Sequence, residues 1–239
     1  MTYAAIFDMD GTLVDSFEAH WLSWQQIAKE NDIVYTRDMY NNSFGRPFKS
    51  IVELFWRRNG SYYNPDGSPM FTDEQLKALE DRKEELYRII FRENFILMPG
   101  VESFLSRLKE AGFKIAIGSS GPKENIEMVV DKINEIMGRT DIFDATVSCN
   151  EVTHGKPDPE IFYKAAEKLG VYNYECCVFE DSDAGIEAAF TACMQRVAIF
   201  KPDCQYASLA KANRKIQSFD ELTIDYVTKL IDSNDFVPY

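Results

Sequence analysis

Two aspartates, Asp8 and Asp10, stand one residue apart near the amino terminus, directly after an apolar segment at positions 4–7. The apolar segment predicts a buried parallel strand, and Gly11 after the acids favours a turn. The carboxyl ends of parallel strands form the edge at which open α/β sheets bind ligands. There a carboxylate can attack phosphorus, while a second carboxyl group protonates the leaving oxygen and later deprotonates water. The spacing therefore indicates phosphoryl transfer, although a loop acid followed by a helix cap would give the same pattern.

A second apolar segment, at positions 115–118, ends in two hydroxyl residues, Ser119 and Ser120. It predicts another buried strand, and Pro122 favours the start of a helix soon after it. Hydroxyl groups and free backbone N–H groups at such a position can bind an anion. A serine that simply caps the helix is the plainer alternative.

A lysine and a second acid pair follow in the carboxyl-terminal half. Lys156 lies in a loop of glycine and proline that leads into an amphipathic helix predicted over 160–169. A strand predicted over 176–179 ends at Glu180 and Asp181, before a further helix. Taken singly, these are a surface lysine and acids that complement a helix dipole. Taken together, the predicted strand ends supply a nucleophile, a hydroxyl, an ammonium and an acid pair, as phosphoryl transfer requires.

The chain resembles the haloacid dehalogenase superfamily, and the resemblance extends over most of its length. The four motifs of that superfamily match residues 8–12, Ser119, Lys156, and Glu180 with Asp181. The resemblance implies a three-layer αβα Rossmann-like core with a parallel sheet and an inserted helical cap. It implies that Asp8 is the nucleophile and Asp10 the general acid and base. It also implies that Ser119 and the catalytic Lys156 bind phosphate, and that Asp8, the Asp10 backbone carbonyl, Glu180 and Asp181 hold Mg²⁺. Thr12 and Ser120 are further candidates for substrate binding.

The chemistry of the motifs agrees with these implied roles. Mg²⁺ prefers oxygen ligands and is usually held by one or two carboxylates with a phosphate oxygen, which Asp8 and Asp181 could complete. Lys156 adds a second positive charge, worth about 4 kcal/mol at roughly 4 Å and an effective dielectric constant of about 20. We therefore expect the loss of Lys156 to be more harmful than the loss of Ser119. The acid at position 10 argues against dehalogenation, because attack on carbon needs no proton on an ester oxygen.

The composition is that of a globular enzyme and excludes some partner classes. Of 239 residues, 45% are apolar, enough to bury a full core, and the formal net charge is −13. That charge repels nucleic acids and anionic membranes, so a small phosphorylated metabolite must be attracted by local positive groups. Five cysteines without metal-binding or disulfide spacing predict buried, reduced thiols. Because the first predicted strand begins within a few residues of Met1, we expect no signal peptide, and we expect a cytoplasmic monomer.

Between the first and second predicted strands, the pattern changes to helical periodicity. We expect a catalytic core at 1–15 and 95–239 and a helical cap at 16–94. Two apolar helix faces support this interpretation. They comprise Phe17, Trp21, Trp24 and Ala28 on one helix, and Leu76, Leu79, Leu86 and Ile90 on another. Residues 59–69 predict an exposed loop within the cap. Closure of such a cap would exclude water while a phosphoenzyme forms.

Residues of the cap are candidates for substrate contact. His20 stands out because the chain has two histidines, and a surface histidine is the plainer alternative. Residues 8–20 are similar to β-phosphoglucomutases and sugar-phosphate phosphatases, and by that resemblance His20 would help to position the acid-base aspartate. Gly45 and Arg46 resemble the cap loop that touches substrate in this group, although a solvated arginine is an equal alternative. Lys49 is a further candidate.

Four functions are compatible with these residues. The first is a Mg²⁺-dependent phosphatase of small phosphorylated metabolites, in particular sugar phosphates, with an aspartyl-phosphate on Asp8. The second is a phosphosugar isomerase of the β-phosphoglucomutase type. Phe44, where the mutases usually carry lysine, and Thr12, which matches the phosphatase form of the motif, favour hydrolysis. The others are a non-catalytic binding protein, disfavoured by the complete set of motifs, and phosphonate cleavage, which needs a Schiff-base lysine that we cannot assign.

Overall fold

The computed structural model describes residues 2–43, 48–60, 62–201 and 208–233, and the chain folds as two compact units. One unit comprises Met1–Asp15 with Phe95–Tyr239, and the other comprises Ser16–Asn94. The strands are β1 (Ala4–Phe7), β2 (Lys114–Gly118), β3 (Ala145–Val147), β4 (Cys176–Glu180), β5 (Gln195–Ile199) and β6 (Arg214–Ile216). The helices are α1 (Phe17–Glu30), α2 (Arg37–Asn41), α3 (Phe48–Arg58), α4 (Asp73–Glu93), α5 (Val101–Glu110), α6 (Lys123–Met137), α7 (Glu160–Leu169), α8 (Asp183–Thr191) and α9 (Ile224–Asp232).

The first unit is built on one parallel sheet with the strand order β3-β2-β1-β4-β5-β6. The chain adds β2 and β3 on one side of β1, and then places β4 to β6 on the other side. The carboxyl ends of β2, β1 and β4 are therefore neighbours at the point where the strand order reverses, which is where open α/β sheets bind ligands. The α/β class with a parallel sheet, expected from the sequence, is confirmed.

Apolar side chains cover both faces of this sheet, because successive residues of a strand point to opposite sides. On one face, Ile6 belongs to a buried cluster with Phe162 of α7. On the other, the ring of Phe7 stacks on Phe179 with the centroids 4.6 Å apart, and lies edge-on to Phe104 of α5 at 6.2 Å. Burial of each such side chain contributes about 1.5–3 kcal/mol. These layers hold the ends of β1 and β4 in fixed positions.

The second unit is helical. Helix α1 packs against α4, and α4 begins at a capping box. There the Gln75 backbone N–H donates to the Thr72 hydroxyl at 3.2 Å, and the Thr72 N–H donates to the Gln75 side chain at 2.9 Å. The core of this unit is rich in aromatic rings, as the spacing in the sequence predicts. It includes Trp21, Trp24, Tyr40, Phe55, Trp56, Leu76 and Leu86, with Phe17 and Leu79 partly buried against it.

The expectation of an exposed loop over 59–69 is wrong at one residue. Tyr62 is buried in the core of the helical unit, where its ring lies 6.2 Å from that of Phe71. Its backbone carbonyl accepts a hydrogen bond from the Met70 N–H at 2.7 Å. The loop is therefore anchored by one aromatic side chain, while its other described residues are exposed.

The cysteines also depart in part from expectation. Cys176 and Cys177 are buried in β4, and burial raises the pKa of the Cys176 thiol to about 12. Cys149, after β3, and Cys193, after α8, are exposed, so the expectation that all the thiols are buried is wrong. Both lie in connecting segments, where side chains face solvent more often than in a strand. Cys204 lies outside the described residues. Within the described part of the chain, no helix is long and apolar enough to cross a membrane.

Candidate active site

Asp8 occupies the position directly after β1, at the carboxyl edge of the sheet. Its backbone N–H still donates to the Phe179 carbonyl of β4 at 2.9 Å, which fixes the residue before the chain turns. Gly11 makes that turn with a positive φ of 82°. The Asp8 side chain is 11% exposed and accepts a hydrogen bond from the Lys156 ammonium at 2.6 Å. The side chain of the candidate nucleophile is therefore held in place and largely shielded from solvent.

Lys156 connects the acids of the site. Its ammonium donates to Glu180 Oε1 at 2.8 Å and to the Gly118 carbonyl, next to Ser119, at 3.1 Å. Lys156 lies in a loop before α7, as predicted. Its grouping with the strand ends is wrong, since β3 ends nine residues earlier, at Val147. The long lysine side chain reaches back to the sheet edge from this loop. Three strand ends and one loop therefore build the site.

Three carboxylates converge beside the lysine. Asp8, Glu180 and Asp181 each offer a carboxylate oxygen, and these atoms lie within 4.8 Å of one another. With all three carboxylates ionised beside the Lys156 ammonium, the net charge of these four groups would be −2, and a divalent cation would relieve their repulsion. A Cβ at Gly11 would lie 2.1 Å from Asp181 Oδ2, so only glycine leaves room for this carboxylate. An all-oxygen donor set in a cradle of this kind fits Mg²⁺.

Burial and mutual repulsion perturb the ionisation of these groups. Burial raises the pKa of Asp8 from 3.8 to about 7, and the negative charge of Glu180 adds to the rise while Lys156 opposes it. Burial, Glu180 and Asp8 also raise the pKa of Asp181 well above its usual range. For Lys156, burial alone would lower the pKa, but Asp8 and Glu180 raise it above the ordinary value. Lys156 is therefore charged, but its single positive charge does not offset the burial and mutual repulsion of the three acids.

The raised pKa of Asp8 predicts an unusual pH dependence of stability in the metal-free protein. An acid whose folded pKa lies above its unfolded value binds more protons in the folded state between about pH 4 and pH 7, so stability falls as the pH rises through that window. We expect the melting temperature in EDTA to fall between pH 5 and pH 8. Differential scanning calorimetry measures it, with Asp8→Asn as the matched control. A flat profile, or an equal slope in Asp8→Asn, would contradict the assignment.

The remaining core residues predicted from the sequence lie around this cluster. Ser119 is buried at the end of β2, where its hydroxyl accepts a hydrogen bond from the Gly121 N–H at 3.0 Å. Ser120 is exposed. Thr12 is buried, and its hydroxyl has no hydrogen-bond partner among the described residues. Asp10 is partly exposed in the turn after β1. Their roles toward a substrate stay predictions.

In the helical unit, His20 is paired with a residue that the sequence analysis missed. The Lys83 ammonium lies 2.8 Å from His20 Nδ1 and donates to Glu84 at 2.7 Å, and the Lys83 side chain is 6% exposed. The His20 ring stacks on Tyr87 with the centroids 4.2 Å apart. Because an ammonium can only donate, Nδ1 accepts and the ring proton of a neutral His20 lies on Nε2. The sequence did offer one sign of this pair, since Lys83 falls on the apolar helix face that includes Leu79 and Leu86.

The other substrate candidates of this unit are less informative. Gly45, Arg46 and Phe44 lie outside the described residues. Lys49 is exposed and forms an ion pair with Asp73 at 3.3 Å. Contact of these residues with a substrate remains a prediction.

Comparison with known proteins places this geometry in context. A protein-family model described as haloacid dehalogenase-like hydrolase matches residues 3–192. The chain is 32% identical over 198 residues to a β-phosphoglucomutase of Bacillus subtilis (strain 168), covering 82% of each chain. It is 30% identical over 229 residues to hexitol phosphatase B of Escherichia coli O157:H7, covering 92% of this chain and 94% of that one. A crystal structure of a β-phosphoglucomutase from Clostridium difficile matches with a TM-score of 0.77 at 25% identity, covering 98% of both chains.

Proposed function

The chain belongs to the family of haloacid dehalogenase-like hydrolases, and from that membership we propose that it is a Mg²⁺-dependent phosphatase of small phosphorylated metabolites, in particular sugar phosphates. The observation that carries the proposal is the contact of the Lys156 ammonium with both Asp8 and Glu180, with the Asp181 carboxylate alongside. This arrangement supports the proposal because transfer of a phosphoryl group to an acid requires a fixed carboxylate beside positive charge and a bound cation.

In this proposal, catalysis proceeds in two displacements at phosphorus. A carboxylate oxygen of Asp8 attacks, the ester P–O bond breaks, and Asp10 donates a proton to the leaving oxygen. Asp10 then accepts a proton from water, which attacks the aspartyl-phosphate, releases inorganic phosphate and regenerates Asp8. Lys156 holds Asp8 through Oδ1 and offsets the negative charge of the phosphate.

The metal belongs to the same proposal. Asp8, Glu180 and Asp181, together with the Asp10 backbone carbonyl, would hold Mg²⁺. When bound, Mg²⁺ neutralises charge on the transferring group, so that a carboxylate can approach a phosphate dianion. Ser119, Ser120 and Thr12 would bind the phosphoryl oxygens.

The substrate class rests on the relatives and on charge. Names such as hexitol phosphatase and β-phosphoglucomutase support a phosphorylated polyol or sugar as the substrate. The net charge of −13 disfavours nucleic acids as partners. We further propose that residues 1–15 and 95–239 form the catalytic core and 16–94 the cap, with His20, Gly45 and Arg46 contacting the substrate, and that the protein is a cytoplasmic monomer.

A phosphosugar isomerase is the second candidate, favoured by the 32% identity to a β-phosphoglucomutase. It would use Asp8, Asp10 and Lys156 in the same roles. The difference lies in the acceptor, because a sugar hydroxyl instead of water would take the phosphoryl group from Asp8.

Phosphorus NMR separates the two reactions. We expect incubation with Mg²⁺ and a panel of hexose, pentose and polyol phosphates to produce inorganic phosphate from at least one substrate, because water reaches the phosphoenzyme. EDTA should stop the reaction, and restored Mg²⁺ should return it. A new phosphate ester without free phosphate would identify an isomerase and overturn hydrolysis as the main activity.

A further inference from the structure

Gly185, in the first turn of α8, lies directly against the Glu180 carboxylate. A Cβ added at Gly185 would be 1.8 Å from Glu180 Oε1 and 1.9 Å from its Cδ, whereas real Cβ atoms essentially never approach closer than 3.0 Å. Glycine is among the least favourable residues in a helix. The backbone of Gly185 lies outside the positive-φ region that would favour glycine. Space for Glu180 is therefore the physical reason for glycine here.

The Glu180 carboxylate is held in this space by both of its oxygens. Oε1 accepts from the Lys156 ammonium at 2.8 Å. Oε2 accepts from the Ser182 backbone N–H at 2.7 Å and from its hydroxyl at 2.9 Å. The Ser182 hydroxyl in turn accepts from the Gly185 N–H at 3.0 Å and caps α8. Moving the carboxylate by the ångström or more that a Cβ demands would disrupt all of these contacts.

We propose that Gly185 is a positioning residue of this site: the missing side chain at the start of α8 sets the place of the Glu180 carboxylate, and through it the place of the Lys156 ammonium beside Asp8. The inference rests on the proposed function of the site. It concerns a residue without a side chain, which would act only through the Glu180 carboxylate. Alanine at this position keeps the N–H that bonds to Ser182, so the substitution isolates the missing Cβ.

The first test is Gly185→Ala in the full chain. We expect kcat/KM to fall about 100-fold, because displacement of a catalytic group by about 1 Å costs that much. We expect Mg²⁺ affinity, measured by isothermal titration calorimetry without substrate, to fall about 10-fold. Thr191→Ala, at an exposed position in the last turn of the same helix, is the control. Wild-type Mg²⁺ affinity and turnover in Gly185→Ala would overturn the proposal.

A double-mutant cycle separates positioning from a general packing defect in α8. Glu180→Ala removes the carboxylate that the new Cβ would meet. In that background we expect Gly185→Ala to leave Mg²⁺ affinity unchanged and the metal-free melting temperature unchanged or slightly higher, because alanine is the better helix former. In the wild-type background we expect both to fall. Equal losses in both backgrounds would show a merely structural role and overturn the proposal. Because these two measurements use no substrate, they test Gly185 even if the proposed phosphatase activity fails.

Discussion

Asp8→Asn is expected to lower kcat by about 10⁴-fold or more while the protein remains folded. An amide is nearly the same size as a carboxylate but is not a nucleophile, and loss of a covalent nucleophile typically costs this much or more. Phosphate release under saturating Mg²⁺ and substrate measures the effect. The substitution is sharper than alanine because it preserves the shape of a buried site.

Although Asp8→Asn should abolish most of the activity, we expect it to stabilise the metal-free protein. Asp8 lies within 4.8 Å of the carboxylates of Glu180 and Asp181, and its amide would remove one of three mutually repelling charges. The asparagine oxygen can still accept from the Lys156 ammonium. We therefore expect the metal-free variant to melt at a higher temperature than wild type at pH 8.

An exposed aspartate provides the control for both measurements. The Asp225 side chain is 71% exposed and paired with Lys229, so Asp225→Asn should change neither turnover nor melting temperature appreciably. Turnover near the wild-type rate in Asp8→Asn would exclude Asp8 as the nucleophile.

Lys156→Met is the second substitution with a large expected effect, and it should separate metal binding from turnover. Its ammonium is 5% exposed and contacts Asp8 and Glu180 at 2.6 and 2.8 Å. We expect kcat to fall about 10²–10³-fold, because a preorganised charge next to the transferring group is lost. Mg²⁺ should bind at least as tightly as in wild type, because the acid cluster becomes more negative.

Stability of the metal-free Lys156→Met protein should fall by about 3–5 kcal/mol, the usual cost of breaking a buried ion pair from one side. Urea unfolding with and without Mg²⁺ measures this, and saturating Mg²⁺ should recover part of the loss. Lys229→Met, at a lysine that is 74% exposed, is the control. A large loss of Mg²⁺ affinity together with normal kcat would contradict the proposed role of Lys156.

Much of the core could be predicted because local sequence and global fold agree there. The apolar segments before Asp8, Ser119 and Glu180 are short, typical of buried strands, and followed by turn residues. In a parallel sheet the carboxyl ends of such strands lie at the same edge. Helix α7 was predicted at its observed bounds, Glu160–Leu169, from an apolar face of helical period. Family membership, expected from the same motifs, is confirmed.

The details that escaped prediction depend on contacts between residues distant in the chain. The family resemblance predicted Lys156 in the phosphate site, but not its direct hydrogen bonds to Asp8, 148 residues away, and to Glu180. The pairing of Lys83 with His20 likewise joins two helices, and sequence shows only a charged residue on an apolar face. The close approach of the Glu180 carboxylate to Gly185 is a packing contact in the folded protein, and the sequence pattern does not show it.

The central claim is that Asp8 carries the phosphoryl group, and trapping that intermediate tests it most directly. The enzyme is mixed with Mg²⁺ and the best substrate from the phosphate panel, quenched in acid and reduced with borohydride, which converts an aspartyl-phosphate to homoserine. Peptide mass spectrometry then locates the modified residue. We predict homoserine at position 8 in wild type and none in Asp8→Asn. Rapid phosphate release without homoserine at position 8, or with homoserine at position 10 instead, would contradict the mechanism.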